Sequence, residues 1–127
     1  MAVQYSYGKI VTDGLVLSLD ASDRNSYVSG STTWYDLAGS NNGTLTNGPT
    51  FSSSGNASSI VFDGVDDYVD LGSVINSYIR TNLPITIETF VFLNTSSNDE
   101  SIVGNTWGTA GLLFRKTTSN NIRFILV

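Results

Sequence analysis

Apolar and polar residues alternate over several short segments of this chain. In residues 15–20 every second position is a leucine, and a period of two is typical of a β-strand. Residues 85–93, ITIETFVFL, are the strongest strand candidate. Because both faces of this segment are apolar over its second half, we expect a central strand that is covered on both sides. No window has a sustained helical period, so the pattern predicts an all-β protein.

Turn-forming residues divide the chain between these segments. Asn42-Gly43 and Asn47-Gly48 are dipeptides that type I′ turns prefer. The acidic segment DGVDD, residues 63–67, lies between apolar segments and predicts a hairpin that reverses there. A second hairpin is predicted for residues 112–116 and 121–127. About nine short strands with frequent turns indicate an antiparallel β-sandwich.

The length of 127 residues suits one domain, which we place at residues 13–127, after an N-terminal arm at residues 1–12. The last apolar residues, FILV, have no polar tail after them. Because an uncapped apolar edge pairs readily, we expect the natural polypeptide to continue or another chain to supply a neighbouring strand. The residues expected to make subunit contacts are Tyr5, Tyr7, Phe124 and Leu126.

Five segments occur in a fixed order along the chain: GLVLSLDA (14–21), TWYDL (33–37), NGTLTNGPTF (42–51), SIVFDGVDDYV (59–69) and ITIE (85–88). Together they resemble the concanavalin A-like, laminin-G-like modules of bacteriophage virion proteins. The resemblance covers about residues 13–93 and implies a jelly-roll β-sandwich. Members of that family commonly run some tens of residues longer, so the sandwich is expected to be incomplete at the C-terminus. They also often have tryptophan where this chain has Phe90.

The resemblance further implies a non-enzymatic virion structural protein, a capsid decoration protein or a fibre or tail accessory. Such a protein acts as a contact and adhesion module, is assembled in the host cytoplasm and is then exposed on the particle. Its expected partners are other virion proteins or copies of itself in a homo-oligomer, with a host-surface glycan as a further ligand. The fold alone does not decide function, because similar sandwiches serve as lectins, glucanases and adhesins.

Composition and charge exclude several classes of function. The formal net charge is -5, and the six basic residues are scattered, so the concentrated positive potential that nucleic-acid binding needs is absent. No apolar run approaches the roughly 18 residues of a membrane helix, so no membrane insertion is expected. With no Cys and no His there is no thiolate nucleophile, no Ser-His-Asp triad and no ordinary zinc site.

Carboxylate catalysis also finds little support in the sequence. Glucanases of the concanavalin A-like fold carry two acids at alternate positions of one central strand. The matching strand here has Glu88, but Phe90 and Phe92 occupy the next positions on the same face. A single carboxylate cannot serve as both acid and nucleophile, so we expect no enzyme.

The acidic segment permits two interpretations. Asp63, Asp66 and Asp67 can supply three carboxylates to calcium, an ion that takes six to eight oxygen ligands. Alternatively, Asp63-Gly64 simply forms a tight turn, whose carboxylates face water. The structural turn is favoured, and no cofactor is then required. Calcium would instead fit an alternative function, a calcium-dependent, lectin-like glycan-binding adhesin module.

Trp107 and Asn105 are the candidate glycan-binding residues. Trp107 lies in a glycine-rich segment, where an exposed indole ring can stack on the C–H face of a sugar. Asn105 offers an amide to the sugar hydroxyls. The competing interpretation is that Trp107 fills space between the two sheets, as tryptophan side chains more often do.

Overall fold

The computed structural model describes residues 11–54, 57–81, 84–93, 99–104, 112–119 and 121–126. The chain divides into two compact units, Met1–Asp70 and Leu71–Val127. Within the described residues, no helix has the length and apolar character needed to cross a membrane.

The first unit contains five strands, all paired antiparallel. These strands are β1 (Thr33–Trp34), β2 (Gly43–Thr46), β3 (Thr50–Ser54), β4 (Ala57–Val61) and β5 (Tyr68–Asp70). One sheet has the order β1-β2-β5, and the other consists of β3 and β4. In the first sheet Leu45 lies opposite Val69, and Leu45 is buried. Leu45 thus contributes an apolar side chain to the core of this unit.

An aromatic cluster lies at the core of the first unit. Tyr27, which precedes β1, is 4% exposed. Its ring centroid lies 6.3 Å from that of Trp34 in an edge-on arrangement and 5.3 Å from that of Phe51. Since Trp34 belongs to the first sheet and Phe51 to the second, Tyr27 packs both sheets of this unit around one ring. The Tyr27 hydroxyl donates to the Ser31 carbonyl at 2.8 Å.

Residues 15–20 do not form the predicted strand. The Ser18 N–H donates to the carboxylate of Asp36 at 2.9 Å, and the Ser18 carbonyl accepts from the Leu37 N–H at 2.9 Å. The Asp20 N–H donates to the Ser26 hydroxyl at 3.0 Å. The side chains of Asp36 and Ser26 thus accept two backbone N–H groups that a strand would use in a ladder, and the prediction of a strand here is wrong.

The hairpin predicted across the acidic segment is also wrong. The strand before it, β4, pairs with β3 over five residue pairs from Thr50↔Val61 to Ser54↔Ala57. The strand after it, β5, pairs with β2. The segment therefore carries the chain from one sheet to the other. Both strands pair with strands that precede them in the sequence, and the turn residues alone do not specify this pairing.

The two Asn-Gly dipeptides have different roles. Asn47 and Gly48 have φ angles of 70° and 112°, the left-handed region that a type I′ turn requires at both positions. This turn leads from β2 into β3 of the other sheet rather than closing a hairpin. Gly43 lies within β2, opposite Trp34, so the turn predicted at Asn42-Gly43 is wrong. The Asn42 side-chain oxygen instead accepts the Asp36 N–H at 2.9 Å.

The second unit contains one helix and three strands. They are α1 (Gly72–Thr81), β6 (Glu100–Gly104), β7 (Leu112–Lys116) and β8 (Ile122–Leu126). The sheet order is β6-β7-β8, with antiparallel pairing throughout. The hairpin of β7 and β8 confirms the prediction from the sequence. Leu112 is 1% exposed and anchors the covered face of this sheet.

Helix α1 was not predicted by the apolar pattern. It is short, and its first residue, Gly72, has a φ of 71°. Ile75 is buried, whereas Val74 remains 65% exposed. Ile75, Tyr78 and Ile79 have the i, i+3, i+4 spacing of one helical face, but three residues are too few for a clear periodic signal.

Residues 85–93 form no strand, although the sequence predicts a central one. Phe90 is 94% exposed and Phe92 is 92% exposed, so neither is covered. A strand requires backbone hydrogen bonds to a neighbour, and no described strand pairs with this segment. The apolar pattern therefore identifies a segment that is suited to a sheet. The pattern does not specify the neighbouring strand with which that segment would pair.

Most of the regular structure consists of strands in antiparallel sheets, with one short helix. The predicted all-β class is confirmed at this level. The residues described contain eight strands, in sheets of three, two and three.

Candidate functional site

Three carboxylates converge at the acidic segment between β4 and β5. Asp63, Asp66 and Asp67 each offer one carboxylate oxygen, and these three oxygens lie within 4.8 Å of one another. Asp63 and Asp66 are exposed, whereas Asp67 is half-buried. The structure thus brings together the three residues that the sequence singled out as calcium ligands.

Hydrogen bonds explain why this segment folds tightly. One Asp63 oxygen accepts the Val65 N–H at 2.8 Å, and Gly64 has a φ of 78°. Such a side-chain-to-backbone bond two residues on is the Asx-turn that aspartate favours. An Asp67 oxygen accepts the Asp63 N–H at 2.9 Å, which closes the segment. The Asn47 amide donates to the Asp66 carbonyl at 2.8 Å and ties the segment to the turn after β2.

The remaining carboxylate oxygens are what a cation would use. The second oxygen of Asp67, Oδ1, is enclosed and has no hydrogen-bond partner among the described residues. Calcium–oxygen distances are about 2.3–2.6 Å, so oxygens within about 5 Å of one another can share one ion. The donor set is chemically suitable for calcium, although it supplies only three of the six to eight ligands that calcium takes. The same geometry serves a turn that needs no metal.

The edge of the second unit's sheet presents an apolar surface. Strand β8 pairs with β7 on one side, and no described strand lies on its other side. Ile122 is 54% exposed and Phe124 is 63% exposed. Phe124 thus lies at an accessible edge, in keeping with its expected role in subunit contact, and Leu126 is the last residue of that strand.

The other predicted site residues lie in different situations. Tyr5 and Tyr7 of the arm, and the glycan candidates Asn105 and Trp107, fall outside the described residues. Glu88, the lone carboxylate of the strand predicted at residues 85–93, is exposed.

Sequence reasoning missed a row of polar side chains across the second unit's sheet. Ser101 of β6 lies opposite Arg115 of β7, and Arg115 lies opposite Arg123 of β8. Asp99 forms an ion pair with the Arg115 Nη1 at 3.0 Å, and its other oxygen accepts the Thr118 N–H at 2.7 Å. The hairpin was predicted, but only its register shows that the two arginines face each other.

Comparison with known proteins gives no relative: no family model, no curated protein and no solved structure matches this chain.

Proposed function

We propose that this protein is a non-enzymatic structural component of a bacteriophage virion, a capsid decoration protein or a fibre or tail accessory. It acts as a contact and adhesion module of the concanavalin A-like, laminin-G-like jelly-roll type. Two things support the proposal: the series of motifs that resembles such modules, and the antiparallel strands that make up most of the regular structure.

The observation that carries the proposal is the exposure of large apolar side chains in the second unit. Phe90 and Phe92 are each more than nine-tenths exposed, and Phe124 is nearly two-thirds exposed. Soluble monomers rarely expose contiguous apolar patches unless those patches meet a partner. A protein that works through contact accounts for these exposed side chains.

A second copy of this chain is the partner that β8 suits best. If β8 pairs antiparallel with its own copy about a twofold axis at Phe124, Ile122 lies opposite Leu126 and Arg123 lies opposite Ile125. This register sets no like charges against each other, and like charges directly opposite are unfavourable. A twofold contact uses the same surface on both copies, so the self-complementary sequence of β8 is the feature that it requires.

Light scattering after size-exclusion chromatography tests this contact. The parent protein should elute as a dimer, or as a larger oligomer built from dimers. Phe124→Lys should shift the mass towards the monomer, because lysine on an edge strand opposes pairing. Val65→Lys is the matched control, since Val65 is 83% exposed and lies in the acidic segment of the other unit. A parent protein that stays monomeric at high concentration would exclude the β8 contact.

The virion assignment has its own test. Mass spectrometry of purified particles should detect the chain in a fixed proportion to the major capsid protein. Antibody labelling should then place it on the outside of the particle. Absence of the chain from intact particles would refute the assignment, whatever its oligomeric state.

A calcium-dependent glycan-binding adhesin is the second candidate function. The observation in its favour is the convergence of the Asp63, Asp66 and Asp67 carboxylates. In addition, the enclosed Asp67 Oδ1 has no hydrogen-bond partner among the residues that the structure describes. A ligand that binds only the folded protein, present at 100 times its Kd, stabilises it by about 2.7 kcal/mol. Melting in calcium and in chelator should then differ by several degrees, and an unchanged melting temperature would exclude the metal.

Glycan binding by this candidate is tested separately. On a glycan array in calcium, the parent should bind and Trp107→Ala should not, while Asn105→Ala should weaken the signal. If Trp107→Ala binds like the parent, those two residues do not form the glycan site.

A further inference from the structure

The register of the second unit's sheet places two cations directly opposite each other. Arg115 on β7 faces Arg123 on β8. Residues directly opposite on antiparallel strands have Cβ atoms about 4.5–5.5 Å apart, and like charges there are destabilising. The whole chain has only six basic residues, so a facing pair of arginines is a feature that needs a physical account.

Arg115 is held in position by Asp99. The carboxylate reaches Nη1 of Arg115 at 3.0 Å, and the Thr118 N–H fixes the other carboxylate oxygen at 2.7 Å. The Arg115 side chain remains 27% exposed, so it is partly accessible to solutes. Its Nε is enclosed and has no partner among the described residues, so a solute would meet the exposed part of this side chain and not that donor.

Arg123 supplies the second half of the pair. It is exposed on the edge strand, and no ion pair involving it occurs within the described part of the chain. Ser101, also exposed, lies opposite Arg115 on its other side and adds a hydroxyl to the same row. The row crosses two strand spacings, about 10 Å.

From this arrangement we propose that the row Ser101–Arg115–Arg123 binds an oxyanion, the carboxylate or sulfate group of an acidic ligand, between its two guanidinium groups. Planar guanidinium groups bind carboxylate and sulfate through paired N–H donors, which makes such contacts strong and directional. An anion placed there removes the repulsion between the arginines, while Asp99 neutralises only one of their two charges. Lys116 and Glu100 lie opposite each other one position along the sheet, on its other face, and do not belong to this row.

The inference goes beyond the proposed contact role and does not depend on it. If the protein is an adhesin, the row predicts that its glycan is acidic. If the protein never meets a glycan, the oxyanion can come from any acidic solute. The dimer contact is separable as well, because the register proposed for β8 sets Arg123 opposite Ile125 and does not use its charge.

Titration with sodium sulfate, replacing chloride at constant ionic strength, tests the site. The guanidinium and backbone N–H resonances of Arg115 and Arg123 should shift with saturation in nuclear magnetic resonance spectra. Arg123→Gln should weaken the affinity by about tenfold or more, the factor expected when a hydrogen bond to a charged group is lost. Arg24→Gln makes the same charge change at an exposed position of the other unit and should leave the affinity unchanged.

A second variant protects the test against misfolding. Arg123→Lys keeps the charge but loses the paired donors, so its affinity should fall between those of the parent and Arg123→Gln. Resonance shifts that do not saturate with sulfate would overturn the proposal. An equal loss of sulfate affinity in Arg24→Gln and Arg123→Gln would overturn it as well. An oligosaccharide of uronic acids should bind at the same resonances and its carboxyl-reduced counterpart should not, whereas equal binding of the two would also overturn it.

Discussion

Asp36 accepts a hydrogen bond at 2.9 Å from the backbone N–H of Ser18, eighteen positions earlier in the chain. The same carboxylate accepts the Ala38 N–H at 2.8 Å and the Asn41 N–H at 3.1 Å. Asp36 is 8% exposed, so one nearly buried side chain orders two loop segments of the first unit. The aspartate of the motif TWYDL is therefore a structural anchor.

Replacing this anchor should destabilise the protein strongly. Asp36→Ala leaves three backbone N–H groups without their acceptor, and we expect a loss of about 3 kcal/mol in the free energy of unfolding. Asp36→Asn keeps one acceptor oxygen and should lose less. Urea denaturation measures both. Asp13→Ala removes an exposed carboxylate and should stay within about 0.5 kcal/mol of the parent, so equal effects at Asp13 and Asp36 would contradict the assignment.

A side chain at Gly48 should destabilise the protein. Its φ of 112° lies in a region that L-residues rarely adopt, although no heavy atom lies within 4 Å of where a Cβ would stand. Gly48→Ala should therefore cost about 1–3 kcal/mol through the backbone alone. Gly39→Ala is the control, because its nearest contact, Asp36 Oδ2 at 3.5 Å, is an ordinary one. Thermal melting compares the two, and a silent Gly48→Ala would show that the turn relaxes.

The exposure of residues 85–93 makes a quantitative prediction. Phe90→Ser and Phe92→Ser should each change the free energy of unfolding of the monomer by less than about 0.5 kcal/mol, because both rings are almost fully exposed. Truncation of a buried phenylalanine instead costs about 3–5 kcal/mol. Leu112→Ala, at a position only 1% exposed, should lose about 2–5 kcal/mol and serves as the core reference. Large losses at both phenylalanines would place the segment in a core.

Two variants of the acidic segment distinguish a calcium site from a turn that needs no metal. Asp67→Ala removes the acceptor of the Asp63 N–H and should cost about 1 kcal/mol even in chelator. Asp66→Ala removes an exposed carboxylate and should have almost no effect in chelator. Melting curves in chelator and in calcium measure both effects. If calcium raises the melting temperature of the parent, and both variants abolish that rise, the metal interpretation is favoured over the turn.

The sequence predicts elements with local determinants better than those with distant partners. The β7–β8 hairpin follows from two adjacent apolar segments and a short turn, and its pairing is the predicted one. Asn47 and Gly48 likewise adopt the backbone angles that their residue types favour. The acidic segment follows the same rule, because Asp63 forms a tight turn with Val65 two residues on, and the three carboxylates converge.

The pattern of residues does not determine which strands pair with each other. β4 and β5 flank a favourable turn, yet each pairs with an earlier strand. Residues 15–20 alternate like a strand, but the Asp36 carboxylate takes up a backbone N–H there. Helix α1 buries Ile75 with too few apolar neighbours to produce a periodic signal. The facing pair Arg115 and Arg123 depends on register, which composition does not reveal.

The two-stranded sheet of β3 and β4 has a consequence for the dynamics of the first unit. Two strands alone are marginal in water, so this sheet depends on the packing of Phe51 against Tyr27 and on the hydrogen bond from the Ser58 N–H to the Ser22 hydroxyl. Its serine-rich strands add little apolar cover. In deuterium oxide the amides of Ser52 and Ser54 should thus exchange through local openings well before that of Leu45, which lies in the centre of a three-stranded sheet.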